Sequence, residues 1–337
     1  SAVAVAPTTL AVITHDYLQE RINHADPMLR HLLRVTTARH RQAMRGASGA
    51  TPAPACVEAP AADRDVALRR LRMEQDIERA CEREEFELHY QPIVRVADTS
   101  VAGFESLLRW NKPGQGRVSP GEFIPVAEES GLIRIIGRWI IDTAFAGIQR
   151  LEAVQRAAAP STPPLFVTVN LSTRQMGDAA LFDTLAASLA KHALAPQRVK
   201  LEITESMVME NMQTALELLH RCKALGTLLA VDDFGTGHSS LSYLHKFPMD
   251  TLKLDRSFLT DLPTSEASRK IVRAVVNLAA ELGMDSVFEG VEDAQQVQAC
   301  REVGITYIQG YYYGKPMPLA AAAEFLSRHA AAPPKAA

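Results

Sequence analysis

Residues 228–237 read Leu228-Leu-Ala-Val-Asp-Asp-Phe-Gly-Thr-Gly237. An apolar run that ends in two acids and then a glycine-rich turn describes a buried strand with charge at its C-terminal end. A helical stretch, Met209 to Leu225, precedes it, and another short β-rich run, Thr251 to Asp255, follows. A buried strand flanked by helix patterns is the repeating unit of an α/β fold with a parallel sheet.

The same unit recurs on both sides. β-rich runs fall at 86–90, 101–107, 165–171, 199–204, 228–233, 251–255, 285–291 and 307–311. Helical segments lie between most of them: Pro125 to Gln149, Asp178 to His192, Met209 to Leu225, Ser265 to Leu282 and Ala294 to Val303. Eight strands alternating with helices predict an α/β chain of the TIM (β/α)8 barrel type. The span 85–328 is 244 residues, near the ~250 usual for that fold. The connection after the first strand carries no obvious helix, so that strand is expected to pair differently from the others.

The remainder is organised around this barrel. Residues 1–48 read as N-terminal helices, the remnant of an upstream regulatory region. Asp26-Pro27 supplies a helix start, and Arg39, Arg41 and Arg45 crowd the end before Gly46. Residues 49–84 read as a Pro- and Ala-rich linker followed by a connecting helix from about Asp65 to Arg83. Residues 329–337 are expected to be a disordered tail. Arg156 to Pro164 reads as a surface insertion.

Composition narrows the chemistry. The 337 residues carry 36 Lys and Arg against 39 Asp and Glu, a formal charge of −3. No basic excess points to nucleic acid or an anionic membrane. Cys56, Cys81, Cys222 and Cys300 are too far apart for a C-x-x-C pair and read as free thiols of a reducing compartment. No apolar run is long enough to span a membrane, and no basic flank precedes an apolar stretch at the N-terminus. A cytoplasmic location is therefore expected.

In such barrels the C-terminal strand ends build the site. Polar residues stand there in seven strands: Glu105, Asn170, Glu202, Asp232 with Asp233, Lys253, Glu289 and Gln309. One strand-end acid is ordinarily solvated or salt-bridged; five carboxylates on one rim would repel one another and raise their pKa values. Two divalent cations would remove that repulsion. Oxygen ligands without His or thiolate suit Mg²⁺ or Mn²⁺, and ion pairs about 3.5–4 Å apart serve phosphodiester hydrolysis. Consecutive Asp232 and Asp233 can both turn inward only if the strand ends there. Lys253 either positions water and neutralises developing charge or bridges Asp255 or Asp232. Tyr311, Tyr312 and Tyr313 either stack a nucleobase or pack the core. No phosphate-binding loop, H-E-x-x-H or G-x-S-x-G motif occurs.

Eight segments in order carry a resemblance. Tyr90-Gln-Pro-Ile93, Gly103-Phe-Glu-Ser-Leu-Leu-Arg-Trp110, Val169-Asn-Leu-Ser172, Leu201-Glu-Ile-Thr-Glu205, Asp232-Asp-Phe-Gly-Thr-Gly237, Leu252-Lys-Leu-Asp255, Glu289-Gly-Val-Glu292 and Gln309-Gly-Tyr311 resemble the EAL-domain family. The resemblance implies a modified barrel with an antiparallel first strand and hydrolysis of cyclic di-GMP to linear 5′-pGpG in bacterial signalling. The alternative it leaves is a catalytically inactive cyclic di-GMP receptor.

By that resemblance Glu105, Asn170, Glu202 and Asp232 hold one metal, and Asp232 and Asp233 with Glu289 hold a second. Mg²⁺ or Mn²⁺ would support the reaction and Ca²⁺ would inhibit it. Lys253 would align the attacking water. Gln91, Leu107, Arg109, Gln309 and Tyr311 would contact substrate or its waters. Glu205 would anchor the loop Phe234 to Ser240 near a homodimer interface. An upstream sensor domain is a further expected partner. Two departures stand out: Ser106 replaces the alanine that gives the family its name, and Phe288 replaces a usually small residue before Glu289, where it would crowd the second metal or alter its loop.

Overall fold

The structure is a computed structural model and describes residues 61–176, 178, 180–210, 212–235 and 246–331. The chain divides into two compact units, 1–76 and 77–337. The N-terminal helices expected within 1–48, and the linker as far as residue 60, lie outside the described residues. The connecting helix is Ala61–Glu82. In the second unit it contributes Ile77 and Ala80, both fully buried.

Ten strands form one sheet: β1 (Phe86–Arg95), β2 (Val101–Lys112), β3 (Gly116–Val118), β4 (Phe166–Asn170), β5 (Val199–Thr204), β6 (Leu228–Phe234), β7 (Thr251–Leu254), β8 (Asp285–Phe288), β9 (Tyr307–Gln309) and β10 (Met317–Pro318). The order is β10-β1-β9-β8-β7-β6-β5-β4-β2-β3, and β1 also pairs with β2. That last pairing closes an eight-stranded barrel; β3 and β10 are appended to β2 and β1. Pairings from β2 through β4 to β9 are parallel, whereas β1 runs antiparallel to both β2 and β9. The missing helix after the first strand thus has its reason: an antiparallel pair needs only a tight turn.

β1 is twice as long as its sequence signal. It continues across Pro92, opposite Phe104, to Arg95. It packs on the helix Ile133–Ala158 through Tyr90, whose hydroxyl donates to the Thr143 carbonyl at 3.3 Å. Gly147 makes room for that hydroxyl; a Cβ there would collide with it.

Three expectations are corrected. The single helix Pro125 to Gln149 is two helices, Pro120–Ser130 and Ile133–Ala158. Gly131 separates them at φ +83°, a left-handed cap that glycine adopts without Cβ strain. The helix Ile133–Ala158 also takes up the start of the expected insertion. The expected tail does not begin at 329, because the helix Leu319–Ala331 runs through that point, and residues 332–337 lie outside the described residues. Its alanine-rich start favours helix, Ala322 and Leu326 are buried, and the His329 ring meets the Thr99 carbonyl at 2.7 Å.

Inside the barrel, an apolar floor of Ile93, Ala102, Val287 and Tyr307 packs with Phe166. Lys200 closes it, with Nζ 2.9 Å from Thr251 Oγ1 and 4.4 Å from the Phe166 ring centre. Above this floor the lumen turns acidic. Among the described residues Cys81, Cys222 and Cys300 are free thiols, and no helix is long and apolar enough to cross a membrane.

Candidate active site

The acidic rim is assembled by strand register. Glu105 on β2 and Asn170 at the end of β4 meet side by side, with Asn170 Nδ2 donating to Glu105 Oε1 at 2.8 Å. The Leu171 amide donates to the Glu202 carbonyl at 2.8 Å and so carries the β4–β5 ladder past Asn170. The Glu289 amide donates to the Leu254 carbonyl at 3.1 Å, which extends β8 beside Lys253. The Val291 amide donates to the Gln309 carbonyl at 3.1 Å. Gly310 permits that close approach, because a Cβ there would strike the Val291 backbone.

Asp232 and Asp233 both reach the rim, by a bulge and not by the end of the strand. Val231 pairs with Leu252 and Phe234 with Leu254, so the two aspartates stand opposite Lys253 alone. Two residues against one is the definition of a bulge. Asp233 takes φ +56°, in the left-handed region. Asp and Asn tolerate that region better than other residues with a side chain. Asp232, Asp233 and Glu289 then each offer an oxygen, all within 4.8 Å of one another.

Lys253 sits at the centre of the cluster. Its Nζ lies 2.6 Å from Glu289 Oε1, 2.9 Å from Glu202 Oε2, 3.0 Å from Asp232 Oδ1 and 3.9 Å from Glu105 Oε2. Of the two bridges open to it in the sequence, that to Asp232 forms. Burial disfavours its charge, yet Glu105, Glu202, Glu289 and Asp232 together hold the ammonium well above its usual range.

The carboxylates divide by environment. Burial pushes Glu202 well up, and Glu105 and Asp232 add to that against the pull of Lys253. For Glu105, burial is outweighed by Lys253 and by hydrogen bonds from Gln309, Asn170 and Glu202, leaving it below its ordinary value. Burial first, then Asp232 and Glu105, push Glu289 up to about 7. Burial and Asp232 also raise Asp233.

Gln309 joins the acids to β1. Its Nε2 donates to Glu105 Oε2 and, at 3.0 Å, to Gln91 Oε1. Its Oε1 is buried with no partner. Buried polar atoms are ordinarily satisfied, so this one marks a place for a ligand. The donors around it are carboxylate and amide oxygens, without His or thiolate. That chemistry fits a hard divalent cation, and Glu105, Asn170, Glu202, Asp232, Asp233 and Glu289 are the residues that could hold it.

The remaining candidates are more peripheral. Leu107 and Arg109 follow Glu105 on β2, both partly buried. Arg109 Nη1 donates to the Leu108 carbonyl at 2.8 Å. Burial and then Arg117 lower the Arg109 pKa from its ordinary value, and a guanidinium still stays cationic. Tyr311 is 55% exposed, free to stack, with Lys315 Nζ 5.1 Å from its ring centre. Glu205 lies outside the acid cluster and accepts from the Gly235 amide at 3.4 Å. Of the loop it was expected to anchor, residues 236–240 lie outside the described residues.

Neither departure disturbs the site. The Ser106 hydroxyl donates to the Thr168 carbonyl at 2.6 Å, turned into the sheet. Phe288 is fully buried. It lies between Val287, part of the barrel floor, and Glu289, so strand alternation sends its ring to the outer face. It does not crowd Glu289.

A closed barrel with one reversed strand and an acid cluster around a buried lysine defines a hydrolase-like site on a modified TIM fold. The EAL domain family model matches residues 74–316, and the chain belongs to the EAL-domain family. It is similar to the cyclic di-GMP phosphodiesterase NbdA of Pseudomonas aeruginosa, 39% identical over 80% of this chain and 34% of that protein. It is also similar to the cyclic di-GMP phosphodiesterase PdeR of Escherichia coli, 36% identical over 76% of this chain and 38% of that protein. The chain thus spans about a third of the length of these curated relatives.

Among solved structures, the EAL enzyme Bd1971 in its cAMP and cyclic-di-GMP bound form matches with TM-score 0.81 at 31% identity, covering 94% of this chain and 80% of that one. The PaMucR phosphodiesterase in complex with c-di-GMP matches with TM-score 0.66 at 36% identity, covering 74% and 99%.

Proposed function

We propose that this chain hydrolyses cyclic di-GMP to linear 5′-pGpG with the help of two Mg²⁺ or Mn²⁺ ions. The observation that carries this reading is the cluster itself: five carboxylates and Asn170 gathered about Lys253, with the unpartnered Gln309 Oε1 beside them. Relatives named as cyclic di-GMP phosphodiesterases, and a phosphodiesterase structure in complex with c-di-GMP, supply the substrate.

Glu105, Asn170, Glu202 and Asp232 would hold one ion, and Asp232, Asp233 and Glu289 the other. When bound, such a pair lowers the pKa of water and stabilises both the attacking and the leaving oxygen. The residues do the rest. Arg109 offers a charged donor to a phosphate. Tyr311 presents a half-exposed ring to a guanine. Lys253 turns an N–H toward the attacking water and balances charge at phosphorus. Water adds to one phosphorus, its P–O3′ bond breaks, and the proton released by water ends on the 3′ oxygen. Gln309 holds Glu105 and Gln91 in register with the reacting group.

The reading extends to the setting. Glu205 and Gly235 begin the link from site to a homodimer interface, an upstream sensor region controls the barrel, and the protein works in the cytoplasm. The test is turnover: cyclic di-GMP incubated with Mg²⁺, Mn²⁺ or Ca²⁺ and resolved by chromatography. pGpG with the first two ions and none with Ca²⁺ is expected. Intact cyclic di-GMP with both Mg²⁺ and Mn²⁺ would overturn the reading, and binding without turnover would make the chain a receptor.

A further inference from the structure

β1 carries a polar stripe of which the reaction above uses only Gln91. Glu87, His89 and Gln91 alternate along the strand and so share one face. Opposite them in register stand Arg109, Leu107 and Glu105 on β2. The stripe therefore lines the rim from the acid cluster outward, past the residues proposed to touch substrate.

Like Gln91 two residues on, His89 is buried, 3% exposed. Its Nδ1 lies 3.1 Å from the Pro316 carbonyl and its Nε2 lies 2.8 Å from Glu87 Oε1. A carbonyl oxygen can only accept, so Nδ1 carries a proton and donates. Gln91 makes a parallel bond two residues on, its Nε2 donating to the Gly314 carbonyl at 3.3 Å. The two side chains thus fasten the same loop, Gly310 to Pro316, at two consecutive points. The loop bears Tyr311 and Lys315, one half-exposed and the other set over its ring.

Glu87 is occupied on its own side. Asn111 Nδ2 donates to its Oε1 at 2.7 Å, and Arg117 Nη2 lies 3.7 Å away. It stands in register with Arg109, yet no ion pair joins the two among the described residues. His89, Asn111 and Arg117 absorb the carboxylate and leave the Arg109 guanidinium available to an anion.

We propose that His89 is a positioning residue for ligand binding: through the Pro316 carbonyl it fixes the Gly310–Pro316 loop so that Tyr311 and Lys315 face the nucleotide. This rests on the cyclic di-GMP reading. His89 touches no reacting atom, so its effect belongs to affinity and not to the chemical step.

The two ring nitrogens can be tested separately. Asn places an amide N–H near the position of Nδ1, whereas Gln places one near Nε2. His89→Ala and His89→Gln are expected to raise the calorimetric Kd for cyclic di-GMP in Ca²⁺, and KM in Mg²⁺, by about tenfold, the scale of one lost hydrogen bond. kcat should stay within about twofold, and His89→Asn should remain near wild type. Hydrogen exchange across residues 310–317 should quicken in Ala and Gln only, with thermal melting confirming the fold of each.

Unchanged Kd and KM in His89→Ala would overturn the proposal. So would an Asn variant as impaired as Ala, or a loss confined to kcat. A wild-type chain that neither binds nor cleaves cyclic di-GMP would instead remove the functional reading beneath it.

Discussion

Lys253 brings its ammonium to 2.9 Å from Glu202 Oε2, and each of these side chains is only 1% exposed. An ion pair so deep is stabilising only while both partners remain. Breaking such a pair costs about 3–5 kcal/mol, because the surviving charge is left unpaired. Lys253→Met should therefore lower the stability of the chelated protein by about that amount, measured by urea unfolding in EDTA. Added Mg²⁺ should restore part of the loss, since the ions would replace the missing positive charge. A variant as stable as wild type in EDTA would show that the cluster does not need the lysine.

Glu105 accepts from both Asn170 and Gln309 and lies beside Lys253. Glu105→Ala removes a proposed metal ligand and frees two amides at once. Turnover of cyclic di-GMP should fall about 10³-fold or more, the scale of several kcal/mol of lost charge stabilisation. Activity within tenfold of wild type would place the chemistry elsewhere.

Asp233 combines a left-handed backbone with a carboxylate pushed up by burial and by Asp232. Asn tolerates the same backbone without the charge. Asp233→Asn should leave stability in EDTA unchanged or raise it by about 1 kcal/mol, while lowering turnover about 10²-fold. Equal loss of stability and activity would mean that the carboxylate holds the bulge together.

The Glu289 carboxyl sits at about 7 in the fold against an ordinary 4.5. A group whose value is raised on folding favours the fold while protonated. Its contribution is whole below about pH 4.5 and disappears as pH rises through about 7. In EDTA the urea midpoint should thus fall from pH 5 to pH 8, and Glu289→Gln should flatten that slope. An identical slope in the variant would assign the dependence to other groups.

The barrel was readable because each strand pairs an apolar run with a polar end, and seven such ends could be listed before any side chain was placed. What escaped has physical reasons. Pro92 interrupts a row of donors without ending β1, so the strand read as half its length. Gly131 follows Glu128-Glu129-Ser130 within a helical pattern that resumes at Leu132, and its left-handed φ separates the two helices. The Asp232–Asp233 pair is legible as a strand-end feature, but a local pattern cannot distinguish a strand end from a bulge. That distinction depends on Leu252 and Leu254 across the ladder. His89 is not legible, because one polar residue in a strand carries no signal. Its role appears only with Pro316, 227 residues away.

The reversal of β1 has a consequence for how the chain is entered. In a regular barrel the first strand begins at the floor, and the polypeptide crosses the whole core before it reaches the chemistry. Here the start of β1 is at the rim: Glu87, His89 and Gln91 come within nine residues of Glu82, the last residue of the connecting helix. A displacement of that helix along its axis would be felt first at the wall formed by Glu87, His89 and Gln91. A slip of one residue would turn His89 and Gln91 out of the lumen together. The reversed strand thus leads from the end of the connecting helix straight to the face that meets Gln309.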